Sequence, residues 1–150
     1  MIENEIIFEI RDINGGNILR IIPHKLLYPD AEIEEDRQTL SIDVEASLEK
    51  FASQVKYQAE MRKDDFLRFK NELEGLNKNL SGEAIFETTR DGYVEMRFKG
   101  DGIGHFGGTC IVTNADYSSL IRLEFEMNFD QTQIPVFVKQ LERIIEKFSN

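Results

Sequence analysis

The sequence has 150 residues, and its 28 acidic and 18 basic side chains give a formal net charge of −10. Its 41% hydrophobic content, with 31% charged residues, is typical of a globular protein, and the length suits a single domain over residues 1–150. The acidic surplus disfavours a nucleic-acid partner, because phosphate backbones are bound by clustered lysine and arginine. No apolar run is long enough to predict a membrane span.

The compartment is predicted from the cysteine count and the N-terminus. Cys110 is the single cysteine of the chain, so no intramolecular disulfide can form, which is typical of a reducing cytoplasm. The first residues, Met1 to Glu5, contain no basic group and therefore do not resemble a secretory signal. We expect a cytoplasmic protein.

Alternation of apolar and polar residues predicts four strands in the first 61 residues. Residues 5–11 and 18–22 flank Asn14-Gly15-Gly16-Asn17, whose glycines are expected to supply the positive φ of a tight hairpin. Residues 40–46 and 51–61 follow the same period, with a break near Leu48-Glu49. Between the second and third strands lies the segment 29–37.

Apolar residues then recur at spacings of three and four over about 64–78, which predicts a helix with Asp64 or Asp65 as its N-cap. Further strands are predicted at 83–89, 93–98, 106–113 and 119–129, with a hairpin at Asp91-Gly92 and a turn at residues 114–116. A second amphipathic helix is predicted over about 132–148, with Pro135 in its first turn.

The predicted class is α+β, in the order ββββ-α-ββββ-α. Because short turns join antiparallel strands whereas parallel strands need long crossovers, we expect an antiparallel β-sheet of about seven to eight strands with the two helices. The two halves share this pattern, but their residues do not match well enough to indicate a duplication.

The densest charge feature is an acidic segment, defined here as residues Asp30 to Asp36, with five carboxylates in seven residues. The spacing fails for an EF-hand calcium loop, since position six is Glu35 and position twelve is Ser41. A solvated loop or a protein-recognition surface remain as interpretations. The predicted partner-binding residues are those of the segment and two on the following strand: Asp30, Glu32, Glu34, Glu35, Asp36, Asp43 and Glu45.

Five of the ten glycines fall in residues 99–108. This stretch lacks the lysine and Ser/Thr of a P-loop and leads into a predicted strand, so turns and close backbone approach explain the glycines better than phosphate binding.

The most credible catalytic cluster would be Asp101, His105 and Cys110. Residues five apart on a strand face opposite ways, however, and we expect Cys110 to be a buried structural residue. No metal or cofactor site is predicted.

Several segments form a pattern that extends over about residues 39–148: Phe66–Phe69 with Leu73 and Leu76, Leu80–Ala84, Gly100–His105, Leu123–Phe125, Asp130–Pro135, and Leu141 with Ile144-Ile145. This pattern resembles small uncharacterised bacterial proteins similar to the WapI-type immunity proteins of polymorphic toxin systems. The resemblance implies a protein that neutralises the C-terminal domain of a toxin inside the producing or a neighbouring cell. It supplies no catalytic residues.

Three interpretations follow. In the first, the chain is a non-enzymatic binding protein of toxin-immunity type, whose acidic surface contacts a basic protein partner such as a toxin domain. In the second, it is a structural or regulatory module that forms a homo-oligomer through an exposed strand edge. An enzyme is the third interpretation.

Overall fold

The structure is a computed structural model that describes residues 6–88, 93–115 and 120–149. Its first half contains four strands, β1 (Phe8–Arg11), β2 (Ile18–Leu26), β3 (Thr39–Leu48) and β4 (Ser53–Arg62), with a short helix α1 (Glu34–Arg37) between β2 and β3. Each strand pairs antiparallel with the next along the chain. The register shifts between Pro23 and Lys25, where a bulge accommodates a proline that has no N–H for the ladder.

The second half repeats this arrangement. Helix α2 (Lys63–Asn79) follows β4, and four more antiparallel strands form a second sheet: β5 (Ser81–Glu87), β6 (Val94–Asp101), β7 (His105–Ala115) and β8 (Leu120–Asp130). A 3₁₀ turn leads into the last helix, α3 (Ile134–Lys147). The predicted class, element order and antiparallel pairing are confirmed, and the eight strands are divided between two four-stranded sheets.

Both predicted helices are confirmed, but the predicted N-cap of the first is wrong. Strand β4 runs directly into α2, so the helix begins at Lys63, before Asp64, and Arg62 occupies the N-cap position. Asp65 is instead the third helical residue, and its carboxylate accepts a hydrogen bond of 3.1 Å from the backbone N–H of Arg62. An acidic group in the first turn is stabilising there because it faces the positive end of the helix dipole.

The predicted positive φ at Gly15 and Gly16 is also wrong. Positive φ among the described glycines occurs at Gly82, Gly102 and Gly104. A Cβ on Gly15 would lie 2.7 Å from Asp12 Oδ2, and one on Gly16 would lie 3.0 Å from Glu49. The connection between β1 and β2 is a loop rather than a two-residue turn, and its glycines allow close approach of neighbouring groups.

The core lies between the two helices and one face of each sheet. Phe8 of β1 packs edge-on against Phe69 of α2 and Phe137 of α3, with both ring centroids 5.9 Å away. Phe129 of β8 contacts Phe137 at 5.2 Å and Phe98 at 5.0 Å. Because α3 thus touches both sheets, the halves share one hydrophobic core.

Main-chain hydrogen bonds also join the sheets. The loop after β1 lies beside β8, where the Ile13 N–H donates to the Asn128 carbonyl oxygen at 3.0 Å. The Asn128 N–H donates to Asp12 Oδ1 at 2.9 Å. These contacts hold the β1–β2 loop (residues 12–17) against the C-terminal half of β8.

The predicted hairpin at Asp91-Gly92 lies outside the described residues, as do residue 116 of the predicted turn and residue 119 at the start of the predicted last strand. Asn114 and Ala115, which were predicted as part of that turn, are the last two residues of β7 instead. Within the described part of the chain, none of the helices is both long enough and apolar enough to cross a lipid bilayer.

Candidate protein-binding surfaces

The acidic segment lies between β2 and β3 and contains the start of α1. Asp30, Glu32, Glu34 and Glu35 are exposed, and Asp36 is half-buried. Arg37 folds back over the segment, where its Nη1 donates to the carbonyl oxygen of Ala31 at 2.9 Å. The five carboxylates are therefore held on a short ordered loop at the end of the first sheet.

Asp43 and Glu45 lie elsewhere, on the outer face of the first sheet. They alternate along β3 with the buried residues Ile42 and Val44. Glu34 of the acidic segment lies in a different place, where it lines a hollow beside α2 and α3 together with Lys63 and Phe148. The structure thus separates the predicted partner-binding residues into the acidic segment and a pair on the outer face.

The outer-face pair is compensated by basic neighbours. One cross-strand row places Glu9, Arg20, Glu45 and Lys56 side by side on β1 to β4. Glu45 lies 3.3 Å from Lys56 Nζ and 3.9 Å from Arg20 Nη1, and Asp43 lies 2.9 Å from His24 Nε2. Opposite charges on adjacent strands attract, so this face is nearly balanced in charge.

Glu9 ends the same row and has two arginine partners. Its carboxylate contacts Arg20 Nε at 2.5 Å and Arg11 Nε at 2.9 Å. Partial burial raises the pKa of Glu9, but the hydrogen bonds and charges of Arg11 and Arg20 outweigh burial and hold the pKa below its ordinary value. The row is a structural ion-pair ladder.

A groove of about 610 Å³ separates β8 from the first sheet. We call it the β8 groove. Four carboxylates and one lysine border it, together with apolar side chains of β3 and β8. These bordering residues are Asp12, Glu49, Glu124, Glu126, Lys50, Leu48, Leu123 and Phe125.

The β8 groove was not predictable from the sequence, because its bordering residues come from three separate segments, 12–17, 48–53 and 123–128. One sequence feature did point to this region. The alternation of apolar residues that predicts β8 extends toward its N-terminal end as far as Ile121, which is 50% exposed, and the adjacent Leu120 is 68% exposed.

The glycine-rich stretch 99–108 forms the turn between β6 and β7, as predicted. Asp101 Oδ1 accepts hydrogen bonds from the backbone N–H groups of Ile103 at 2.8 Å and His105 at 3.1 Å. These bonds, the one from Ile103 above all, lower the pKa of the exposed Asp101 carboxyl. A Cβ on Gly108 would collide with the carbonyl oxygen of Arg97, so this glycine permits close strand approach.

The structure does not bring Asp101, His105 and Cys110 together as a catalytic group. His105 is exposed, whereas Cys110 is fully buried on the core face of β7. Burial raises the pKa of the Cys110 thiol far above its ordinary value, which disfavours the reactive thiolate. The prediction of a buried structural cysteine is confirmed. Across residues 6–88, 93–115 and 120–149, no three His, Cys, Asp or Glu side chains converge as a metal site.

Solved structures share the fold at low sequence identity. A guide-RNA-binding protein complex bound to a guide RNA aligns with a TM-score of 0.52 and 15% identity, covering 96% of this chain and 92% of the other. The plant transcriptional regulator PBF-2 aligns with a TM-score of 0.51 and 11% identity, covering 97% and 82%. At these identities the likeness concerns the fold alone.

Family comparison is more specific. No curated protein matches the sequence. The model of the immunity protein WapI-like family matches residues 9–149, which include the acidic segment, the ion-pair ladder and the β8 groove. The resemblance inferred for residues 39–148 is confirmed and extends further toward the N-terminus. The chain belongs to the immunity protein WapI-like family.

Proposed function

We propose that this protein acts in the bacterial cytoplasm as a non-enzymatic immunity protein that binds and neutralises a basic toxin domain. The observation that carries the proposal is the family match over residues 9–149. An immunity protein acts by occupying a surface of its toxin, and therefore needs exposed recognition groups rather than a catalytic cluster.

The charge distribution supports a basic partner. The net charge of −10 produces a negative field around the protein, and such a field accelerates encounter with a positively charged protein. Within the predicted contact set, Asp30, Glu32, Glu34 and Glu35 are exposed. We assign to the acidic segment the role of attracting the toxin. Asp43, which contacts His24, and Glu45, whose charge is compensated by Arg20 and Lys56, contribute less.

A nucleic-acid partner is disfavoured despite the RNA bound to one structure of similar fold. The outer face of β5 to β8 carries five glutamates and three arginine or lysine residues in its described part: Glu83, Glu87, Glu95, Glu124, Glu126, Arg97, Lys99 and Arg122. The glutamate carboxylates repel phosphate groups, because both are negatively charged. Binding through counterion release requires a basic surface instead.

The proposal is tested with the polypeptide encoded beside this protein. Its C-terminal domain is expressed with and without this chain, and growth, co-purification and binding kinetics are measured. We expect the wild-type chain to restore growth and to co-purify with the toxin domain. A toxic neighbour that neither binds this chain nor is inhibited by it would contradict the proposed function.

The role of the acidic segment is tested separately, by replacing Asp30, Glu32, Glu34, Glu35 and Asp36 with serine. Long-range attraction acts mainly on association, so we expect the association rate at low salt to fall about tenfold with little change in dissociation. The double variant Glu142→Ser/Glu146→Ser, on the exposed face of α3, serves as the control. An unchanged association rate in the five-serine variant would overturn this assignment.

A further inference from the structure

On two of the edge strands, β1 and β5, a polar side chain from a helix caps one backbone N–H group. On β1, Gln140 of α3 accepts a hydrogen bond of 3.0 Å from the Glu9 N–H. On β5, Glu72 of α2 accepts a hydrogen bond of 2.8 Å from the Ile85 N–H. Each cap satisfies one of the backbone groups through which an edge strand could otherwise recruit a further strand.

Strand β8 is protected along only part of its length. The N–H and C=O of Asn128 are both bonded to the β1–β2 loop, and the Glu126 carbonyl oxygen accepts a hydrogen bond of 3.2 Å from Asn17 Nδ2. Backbone groups of alternate residues point the same way along a strand, so those of Glu124 and Arg122 also point to this edge. Within the described part of the chain, these two residues have no main-chain partner there.

The two faces of this open half of β8 differ in chemistry. Toward the core, exposure rises from Phe125, at 8%, through the half-buried Leu123 to Ile121, at 50%. On the outer face, Glu124 and Glu126 are exposed. An added strand would therefore meet apolar side chains on one face and carboxylates on the other.

We propose that the open edge of β8 binds an extended segment of the toxin partner, in which basic and apolar residues alternate, as an added β-strand. The proposal rests on the proposed function and names its docking site. Main-chain hydrogen bonds to residues 122–126 supply affinity, and the alternating side chains supply specificity. The β8 groove provides the space, and its four carboxylates with one lysine favour a basic occupant.

A second copy of this chain suits the edge less well. Self-pairing would bring two β8 grooves together, and each contributes an excess of negative charge. Like charges at an interface oppose association. The structure therefore favours a basic partner over the homo-oligomer considered from the sequence.

The first test uses a synthetic peptide of about eight residues, long enough to span the open half of β8, in which lysine alternates with valine. Amide hydrogen exchange is followed by nuclear magnetic resonance. We expect the saturating peptide to slow exchange at Arg122, Glu124 and Glu126 by about tenfold or more. Leu123 and Phe125 should be unaffected, because their N–H groups face β7.

A peptide in which glutamate alternates with valine is the control. Absence of slowing, or equal slowing by both peptides, would overturn the proposal. Slowing at the same amides in the free protein as its concentration rises, together with a doubled mass in sedimentation, would also overturn it, in favour of a second copy as the occupant.

The second test compares two double variants with the same change of charge. Glu124→Lys/Glu126→Lys alters the β8 groove, and Glu142→Lys/Glu146→Lys alters the exposed face of α3. We expect the first variant to speed dissociation from the toxin domain by about tenfold or more and the second to leave it unchanged. Circular dichroism and thermal melting establish that both variants are folded.

The two tests separate failure of the docking site from failure of the function. If the wild-type chain and both variants bind the toxin equally, the docking site is wrong and the proposed function stands. If the wild-type chain binds no toxin but the basic peptide protects alternate β8 amides, the proposed function is wrong and the edge is a docking site for another basic protein.

Discussion

Asp12 and Asn128, which are 116 residues apart in the sequence, are joined by a hydrogen bond of 2.9 Å from the Asn128 N–H to the Asp12 carboxylate. This contact links the two sheets and lies within the protected half of β8. Its acceptor is charged, and such hydrogen bonds are among the stronger ones in proteins. The pair therefore contributes both to stability and to the position of the β8 groove.

Replacing Asp12 with alanine is expected to destabilise the protein by about 1–2 kcal/mol, because the half-buried Asn128 N–H loses its acceptor. The measurement is urea unfolding followed by circular dichroism. Asp30→Ala is the control, since it removes an exposed carboxylate of the acidic segment and should change stability by less than about 0.5 kcal/mol. Equal stability of the two variants would show that the Asp12 contact contributes nothing.

The elements of the fold were predictable because they are local. A period of two along β3 and β8 and a period near 3.6 along α3 are properties of neighbouring residues. The division of the strands into two sheets is not local, since it depends on contacts such as Ile13 with Asn128. For the same reason, β8 was predictable as a strand, whereas its open edge was not.

The candidate site likewise has a part that is local in the sequence and was predictable, and a part that is not local and was not. The acidic segment was visible because its carboxylates are contiguous in the sequence. The compensation of Glu45 was not, because Arg20 and Lys56 reach it only through the registers of β2 with β3 and of β3 with β4. A charge pattern along one strand therefore does not determine the charge of a sheet face.

The ion-pair ladder predicts an acid-sensitive contribution to stability from Glu9. Its pKa in the folded protein is lower than its ordinary value of 4.5, so the unfolded chain takes up a proton at a higher pH than the folded chain does. The contribution is therefore complete above about pH 4.5 and is lost as the pH falls through the folded-state pKa.

The corresponding variant is Glu9→Gln, which removes the titrating group and keeps the side-chain size. Free energies of unfolding are measured from about pH 7 to about pH 3. The difference between the two proteins should be at most about 1 kcal/mol near neutrality and should shrink at acid pH. Added salt should reduce it as well. A difference that stays constant with pH would contradict a role for the charge.

Two adjacent glycines of β7 should respond differently to the same substitution. At Gly108, a Cβ would collide with the backbone carbonyl oxygen of Arg97. We expect Gly108→Ala to cost more than about 2 kcal/mol, since the strands must separate. At Gly107, the nearest atom is the side-chain oxygen of Asn128, at 2.6 Å, and that side chain can rotate. Gly107→Ala should therefore cost less than about 1 kcal/mol.

Urea midpoints of the two glycine variants provide the comparison, with circular dichroism as a check on folding. If Gly108→Ala is as stable as Gly107→Ala, β6 and β7 can adjust without loss, and close strand approach does not explain the glycine at residue 108.

The thiol of Cys110 offers a test of the non-enzymatic interpretation that needs no partner. It is fully buried, and burial raises its pKa far above the ordinary value, so the nucleophilic thiolate forms only when the protein opens. In mildly alkaline buffer, we expect Ellman's reagent to react at least about a hundredfold more slowly with the native protein than with the urea-unfolded chain. The Asp12→Ala variant, if it is destabilised as predicted, should react faster than the wild type, because its open state is more populated. Rapid reaction of the native wild-type thiol would contradict the buried, structural role of Cys110 and would support a catalytic role for this residue instead.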